Sequence, residues 1–404
     1  MDNRGHRLSA VPDAERLAAC RADPAAGPKV LFFSGGGALR DVSRLLPEYT
    51  HNSIHVITPF DSGGSSAHLR RAFGMPSVGD LRNRLIALAP ADSSRELTIH
   101  RALAHRLPLQ ANPVALRQLL QEVVEGSDAL TAGLPEDVEP ILHDHLRYLI
   151  ERLPDDFEPR GANVGNLVIT ACYLAADRDL DRAIQDMSEL LNVRGKVCAS
   201  SLEDADLAAA LMDGSEVTGQ HLLTGKEAPP LTSPIQRLWL VPADGRDRDA
   251  RPVRVSPVAR QLIASADLIC FPVGSFHSSV LANLLPAGVG QAIADNPCPK
   301  IYVPNTGVDP EQHGLSVAEC LSSLITTVQA DAGGGVAVHD IVNMVLLDSS
   351  DTNYATPTER QQLAGMGVTV ASTDLVTPRS TSVDARCLAE ILVSNASAAA
   401  QGGA

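Results

Sequence analysis

The feature that most constrains the fold is a repeated switch of hydrophobic period. Short apolar runs of strand length alternate with segments whose apolar residues recur every three or four positions. "KVLFF" (residues 29–33) leads through "SGGG" into the helical pattern "ALRDVSRLL". "SIHVIT" (53–58) leads through "PFDSGGSS" towards "VGDLRNRLIALA", where Leu81, Leu85 and Leu88 lie at spacings of four and three. "GKVCAS", "IQRLWLV", "DLICFPV", "KIYVPN", "HDIVNMVLL" and "GVTVAS" supply further strand-like runs, with "SVAECLSSLITTV" as a helix between two of them. Runs that are apolar throughout suit strands covered on both faces, and their alternation with helices predicts an α/β fold. The expected architecture is a Rossmann-like, doubly wound, mostly parallel sheet with helices on both faces. A long helical region over about residues 94–192 interrupts the alternation and reads as an insertion. Residues 1–27 read as an N-terminal arm, 28–393 as the main domain and 394–404 as a disordered tail of small and polar residues.

Composition narrows the function. The 404 residues carry a formal net charge of −15, against the basic surface that nucleic-acid binding or docking on anionic lipid requires. Aromatic residues make up 3%, and Trp239 is the only tryptophan, so base-stacking platforms are not expected. The seven cysteines are widely spaced and contain no C-x-x-C, which predicts reduced, mostly buried thiols. No apolar leader or membrane-length run occurs, and the expected location is the cytoplasm.

In doubly wound sheets ligands bind beyond the carboxyl ends of strands, where three turns deserve weight. Gly35, Gly36 and Gly37 follow the first strand; exposed backbone N–H groups before a helix suit a phosphate. The turn is neither G-x-G-x-x-G nor a P-loop. The second turn holds Asp61, Ser62, Gly63, Gly64, Ser65 and Ser66. Glycines admit a ligand to the backbone, hydroxyls donate to phosphate oxygens, and Asp61 could hold a cation or take a proton. Its plain structural reading is an Asx turn. The third, "PVGSFHSS", brings Gly274, Ser275 and Ser278 to a helix start and reads as a further anion cradle. Between them, "GDLRN" offers Asp80, a helix-cap candidate, then Arg82 and Asn83. A cation in a helix's first turn opposes the helix dipole unless it meets an anion. Asn166 of "NVGNLV" reads either as a cap or as a ligand contact. His143 and His145 are two apart on a helix and make a poor metal pair.

In this order the motifs resemble the CofD/YvcK family of 2-phospho-L-lactate transferases and gluconeogenesis factors. The matching residues are Gly35 to Gly37, Asp61 to Arg70, Gly79 to Asn83, Gly165 to Leu167, "LNVRGKV", Gly274 to Ser279, and "YVPN" ending at Asn305, across about residues 28–345. The departures are Ser62 where the family has a second aspartate, Ala67 for a glycine, Pro272 and Val273 before Gly274, and "TGVDPEQHG" after Asn305. They resemble a divergent branch, such as the CofD-like members of the GAK system. The resemblance implies a transferase that passes a phospholactyl-type group from a nucleotide diphosphate donor to a hydroxyl, with Mg2+ as cofactor. The alternative within the family is a non-catalytic nucleotide or nucleotide-sugar binding regulator. It further implies catalytic roles for Asp61, Asp80 and Arg82, with Asp61 as metal ligand. Gly35, Gly36, Gly37, Ser62, Gly63, Gly64, Ser65, Ser66, Arg70, Asn83, Asn166, Gly274, Ser275, Ser278 and Asn305 would line the nucleotide and substrate. The expected partners are a nucleotide-diphosphate-type small molecule and a second copy of the chain in a homodimer, with neither nucleic acid nor membrane.

Overall fold

The computed structural model describes residues 8–125, 133–225, 228–246, 251–349, 355–377 and 382–402. Ten strands are formed: β1 (Val30–Ser34), β2 (Ile54–Ile57), β3 (Lys196–Ala199), β4 (Ala205–Leu211), β5 (Glu216–Thr218), β6 (Ile235–Pro242), β7 (Leu268–Phe271), β8 (Lys300–Tyr302), β9 (Met344–Asp348) and β10 (Thr369–Thr373). Seven make one sheet in the order β10-β9-β8-β7-β1-β2-β3. Every neighbouring pair in it is parallel. The chain runs outward from β1 to β3, then returns to β7 on the other side of β1 and runs outward again to β10. The switch point therefore lies between β1 and β7, and it carries the first and third glycine turns.

The strands are apolar because both faces are covered. On one face Leu31, Phe33, Ile269, Phe271, Val345 and Leu347 pack with Ala259, Ile263, Ile293, Leu321 and Leu324 of flanking helices. On the other, Val30, Phe32, Leu268, Cys270, Met344 and Leu346 pack with Leu17, Val42, Leu388 and Leu392. The alternation within each strand follows from the two-residue period of the pleat. Phe33 stacks on Phe271 across the β1/β7 pair at 5.7 Å between ring centroids.

The expected helical insertion consists of helices Ser94–Ala104, Pro113–Val124, Glu139–Ile150, Val164–Ala175 and Leu180–Leu190. Ser93 and Glu96 form a reciprocal capping box at the first, and Asn163 and Asp179 cap the last two. Their shared core includes Leu103, Leu120, Leu142, Leu146, Ile169 and Ile184 and joins the sheet at Ile57, Val197 and Ala199. Among the described residues all seven cysteines are free. No described helix is long and apolar enough to cross a membrane.

Two expectations are corrected. "IQRLWLV" belongs to a separate three-stranded antiparallel sheet, order β5-β4-β6. Its central strand, "ADLAAAL", is alanine-rich and carries little strand propensity. It is held by burying Ala205, Leu207, Ala209 and Leu211 on one face. The tail expected to be disordered from residue 394 is instead part of helix Ala385–Gly402; residues 403–404 lie outside the described residues. Its small side chains let the helix lie close to the N-terminal arm, whose helix is Ala14–Ala22. Asn395 receives the Ser9 backbone N–H at 3.0 Å and donates to the Ser9 carbonyl at 2.9 Å, while Ser394 Oγ accepts the Asp13 N–H at 3.0 Å. Composition suggested solvation, but Ser394, Asn395 and Ala396 are buried by packing.

Leu392 is fully buried in that helix. Leu392→Ala should lower the unfolding free energy by about 2–5 kcal/mol in urea titrations. An unchanged midpoint would refute the docked helix.

Candidate functional site

A cleft of about 830 Å³ opens at the carboxyl end of the sheet. Gly36, Ser65 and Ser275, one from each turn, all line it. So do Gly35, Gly37, Asp61, Gly63, Gly64, Ser66, Asp80, Arg82, Asn83, Asn166 and Gly274. Four of the expected residues do not: Ser62, Arg70, Ser278 and Asn305.

The first turn rests on Arg84. This guanidinium is fully buried and donates to the carbonyls of Gly35 (2.8 Å) and Leu39 (3.2 Å), to Ser34 Oγ (3.2 Å) and to Ser43 Oγ. Burial pulls its pKa down to about 10, so it stays charged at neutral pH. Asp80 presses on the turn from the cleft side: a Cβ on Gly36 would collide with its Oδ1, and one on Gly35 would sit 2.5 Å from Ser279 Oγ. Asp80 is not the cap of helix Gly79–Leu88. Val78 occupies that position without a side-chain bond. Asp80 lies in the first turn of that helix, where a carboxylate is favoured by the dipole.

The second turn is closed as an Asx turn, Asp61 Oδ1 accepting the Gly63 N–H at 3.0 Å. Gly63 precedes helix Gly64–Phe73 and supplies no side-chain cap, so the helix start faces the cleft with backbone donors. A Cβ on Gly79 would lie 2.5 Å from Ser66 Oγ and 3.6 Å from Asp61 Oδ2, which brings this turn against "GDLRN". Ser62 points elsewhere. Its Oγ lies 2.8 Å from His221 Nδ1 and accepts the His221 backbone N–H at 3.3 Å. Arg70 is likewise not a ligand contact. It is 7% exposed, paired with Asp204 (2.5 Å) and Asp206 (3.0 Å), and bonded to the Asp61 carbonyl at 3.2 Å. It ties the turn to the small sheet.

Arg82 is the buried arginine that faces the cleft. It is 5% exposed, Nη2 donates to Asn83 Oδ1 at 2.7 Å, and Nε has no partner. Burial, then the nearby Arg106 guanidinium, lowers its pKa to about 10, with Asp80 opposing. It passes over Gly165, where a Cβ would lie 2.6 Å from the Leu103 carbonyl oxygen and 2.7 Å from Arg82 Cδ. Asn163 caps the following helix by accepting the Asn166 N–H at 3.2 Å, which leaves the Asn166 side chain in the cleft. Asn166 Nδ2 reaches Ser65 Oγ at 3.4 Å, and Oδ1 is buried without a partner.

The third turn differs most from expectation. Gly274, at φ +148°, is gripped by Asn305, which accepts its N–H and donates to its carbonyl, both at 2.7 Å. The amides beyond it are taken by the protein's own carboxylates. Asp309 Oδ2 accepts the Phe276 N–H at 2.8 Å, and Glu311 Oε2 accepts those of His277 (3.1 Å) and Ser278 (2.8 Å). Ser278 Oγ also donates to Glu311. The anion cradle is thus filled from within, and Gly274, Ser275 and Ser279 are what the turn shows to the cleft. Asn305 lines a smaller hollow of about 460 Å³ on the other side of Gly274 and Ser275. His277 is buried, and burial lowers its pKa to about 4, so it is a neutral structural residue.

Sequence reasoning missed Arg106, Gln220, His221, Thr224 and Ser279, which also line the cleft. Arg106 sits in a short connector and His221 in the one-turn helix Gln220–Leu223, and only their position in space singles them out. Among the described residues no group of three or more His, Cys, Asp or Glu could hold a metal. Asp61 and Asp80 nevertheless face one cleft. That suits Mg2+, which takes one or two carboxylates and completes its shell with phosphate oxygens and water.

Gly165→Ala should cost about 1–3 kcal/mol in denaturant unfolding, because one blocking atom is backbone and cannot swing aside. Wild-type stability in this variant would refute the close crossing of Arg82.

The 2-phospho-L-lactate transferase CofD family model matches residues 30–376. A relative from Nostoc sp., named as a gluconeogenesis factor, is 30% identical over 74% of this chain, which spans 52% of that relative. The gluconeogenesis factor of Halalkalibacterium halodurans is 29% identical over 78% of this chain and 76% of its own, and that of Bacillus subtilis 27% over 70% and 69%. A crystal structure of a UPF0052 family member from Bacillus halodurans superposes with a TM-score of 0.66 at 23% identity, covering 91% of this chain and 99% of that one, and so shares the fold. With the family model spanning the sheet, the helical insertion and the turns that frame the cleft, the chain belongs to the CofD family.

Proposed function

We propose that the protein is a transferase that moves a phosphate-linked group, of phospholactyl type, from a nucleotide diphosphate donor to a hydroxyl. The observation that carries this reading is the convergence of two carboxylates, one buried guanidinium and two glycine turns, one of them a helix start, on one cleft at the switch point. The backbone donors of Gly36, Gly37, Ser65 and Ser66 hold the diphosphate. Asn166 Oδ1 accepts the hydroxyl of the acceptor and orients it. Asp61 takes its proton as the acceptor oxygen bonds to phosphorus, while the bond to the bridging oxygen breaks and the nucleoside monophosphate leaves. Asp61 and Asp80 are the residues that would hold Mg2+, which supplies charge neutralisation at the phosphates. Phosphoryl-type transfer passes through a loose transition state, so positioning and charge stabilisation carry most of the catalysis.

A second reading, a regulator that binds a nucleotide or nucleotide sugar without turnover, is favoured by one observation. Ser62 stands where the family resemblance expects a second carboxylate, and its hydroxyl is engaged by His221.

Thermal unfolding in the presence of GDP, GTP, a UDP-sugar or a deazaflavin, with and without Mg2+, tests both. For the transferase, a diphosphate should stabilise the chain in a Mg2+-dependent manner, by about 2.7 kcal/mol at a hundredfold excess over Kd, and Asp61→Asn should abolish the effect. Stabilisation by a UDP-sugar irrespective of metal selects the regulator. No response to any of them overturns both.

A further inference from the structure

The buried arginines around the cleft differ in how their charge is met. Arg70 has two aspartates. Arg84 has an unpartnered Nε and no ion pair among the described residues, but its two Nη groups reach four oxygen acceptors. Arg82 has one, the amide oxygen of Asn83, and among the described residues it forms no ion pair. A guanidinium offers five N–H donors, and leaving them unmet in a buried place is costly. Beside Arg82 stands Arg106, in the connector after helix Ser94–Ala104. Arg106 is exposed on the rim, its Nη1 donates to the Gly161 carbonyl at 3.3 Å, and it too is ion-paired with nothing among the described residues. Two like charges are therefore turned to the same wall with a single acid, Asp80, acting on the buried one. Leu107, buried, and Leu109, exposed, complete this end of the cleft. Arginine pairs of this kind match the planar, bidentate geometry of a carboxylate or phosphate.

We infer that Arg82 and Arg106 form an oxyanion subsite of their own, which takes a carboxylate or phosphate group separate from the diphosphate at the glycine turns. The inference rests on the proposed function in that both ligand groups share one cleft. It says where the acid is met: the carboxylate of a phospholactyl-type group, or an acidic group on the acceptor, sits between these arginines and not at the glycine turns. It also gives the helical insertion a role in recognition, since Arg106, Leu107 and Leu109 all come from it.

Inorganic phosphate and malonate serve as probes, titrated by calorimetry against NaCl of equal ionic strength, with and without saturating GDP and Mg2+. The wild-type chain should bind at least one probe, and binding should persist with GDP present. Arg106→Ala should weaken it about tenfold or more, the size of one charge-assisted hydrogen bond, while leaving the GDP response unchanged. Arg82→Lys, which keeps the charge but loses the fork, should weaken it similarly. A response to phosphate alone or to malonate alone supports the subsite and identifies the kind of acid it takes. Wild-type probe affinity in both variants overturns the subsite, as does displacement of the probe by GDP. A chain that binds GDP but neither probe also overturns it and leaves the nucleotide reading standing. Probe binding that Arg106→Ala removes, in a chain indifferent to GDP, upholds the subsite and overturns the nucleotide reading instead.

Discussion

Three missing side chains hold the cleft together. Gly36 accepts the carboxylate of Asp80 against its α carbon, Gly79 admits Ser66 and Asp61, and Gly165 lets Arg82 pass beneath the Leu103 carbonyl. Each contact joins segments that are distant in sequence. Together they bind the end of β1, the turn after β2, the "GDLRN" helix and the start of helix Val164–Ala175 into one wall. A single Cβ at any of the three forces either a side chain or the backbone away from the cleft. Glycine serves here mainly by allowing close approach, since none of these three adopts a left-handed backbone.

Around that wall the protein spends its charges unevenly. Arg70, Arg82 and Arg84 lie close together in the sequence of an acidic chain. Their destinations differ: Arg70 clamps the second turn to the small sheet, Arg84 supports the first turn from below, and Arg82 reaches the cleft. Asp309 and Glu311 do for the third turn what Arg84 does for the first, each satisfying backbone groups that a ligand would otherwise have to meet. Most of the conspicuous polar residues thus build the site's shape, and a minority are left to meet what enters it.

This division explains what was legible in the sequence. The parallel, doubly wound architecture and the convergence of the turns followed from periodicity and from where glycine falls after a buried strand, because those depend on local pattern. The fates of Ser62, Arg70, Ser278 and Asn305 depend on partners 31 to 159 residues away, His221, Asp204, Glu311 and Gly274 among them, and no local pattern announces such partners. The same holds for Arg106, in a connector, and for His221, in a one-turn helix. The alanine-rich β4 and the small-residue helix Ala385–Gly402 were obscured for the opposite reason: their composition is weak in propensity, and tertiary burial decides their state.

The clasp between Asn395 and Ser9 joins residues 386 positions apart. Arg21 of the arm donates to the nearby Tyr49 hydroxyl at 2.6 Å, but the backbone N–H groups of Ser9 and Asp13 find their partners only in helix Ala385–Gly402. The face of the sheet that bears Phe32 and Cys270 awaits the same helix. Contacts of such separation are slow to form, so the docking of helix Ala385–Gly402 on the arm and on this face of the sheet is a late event in folding.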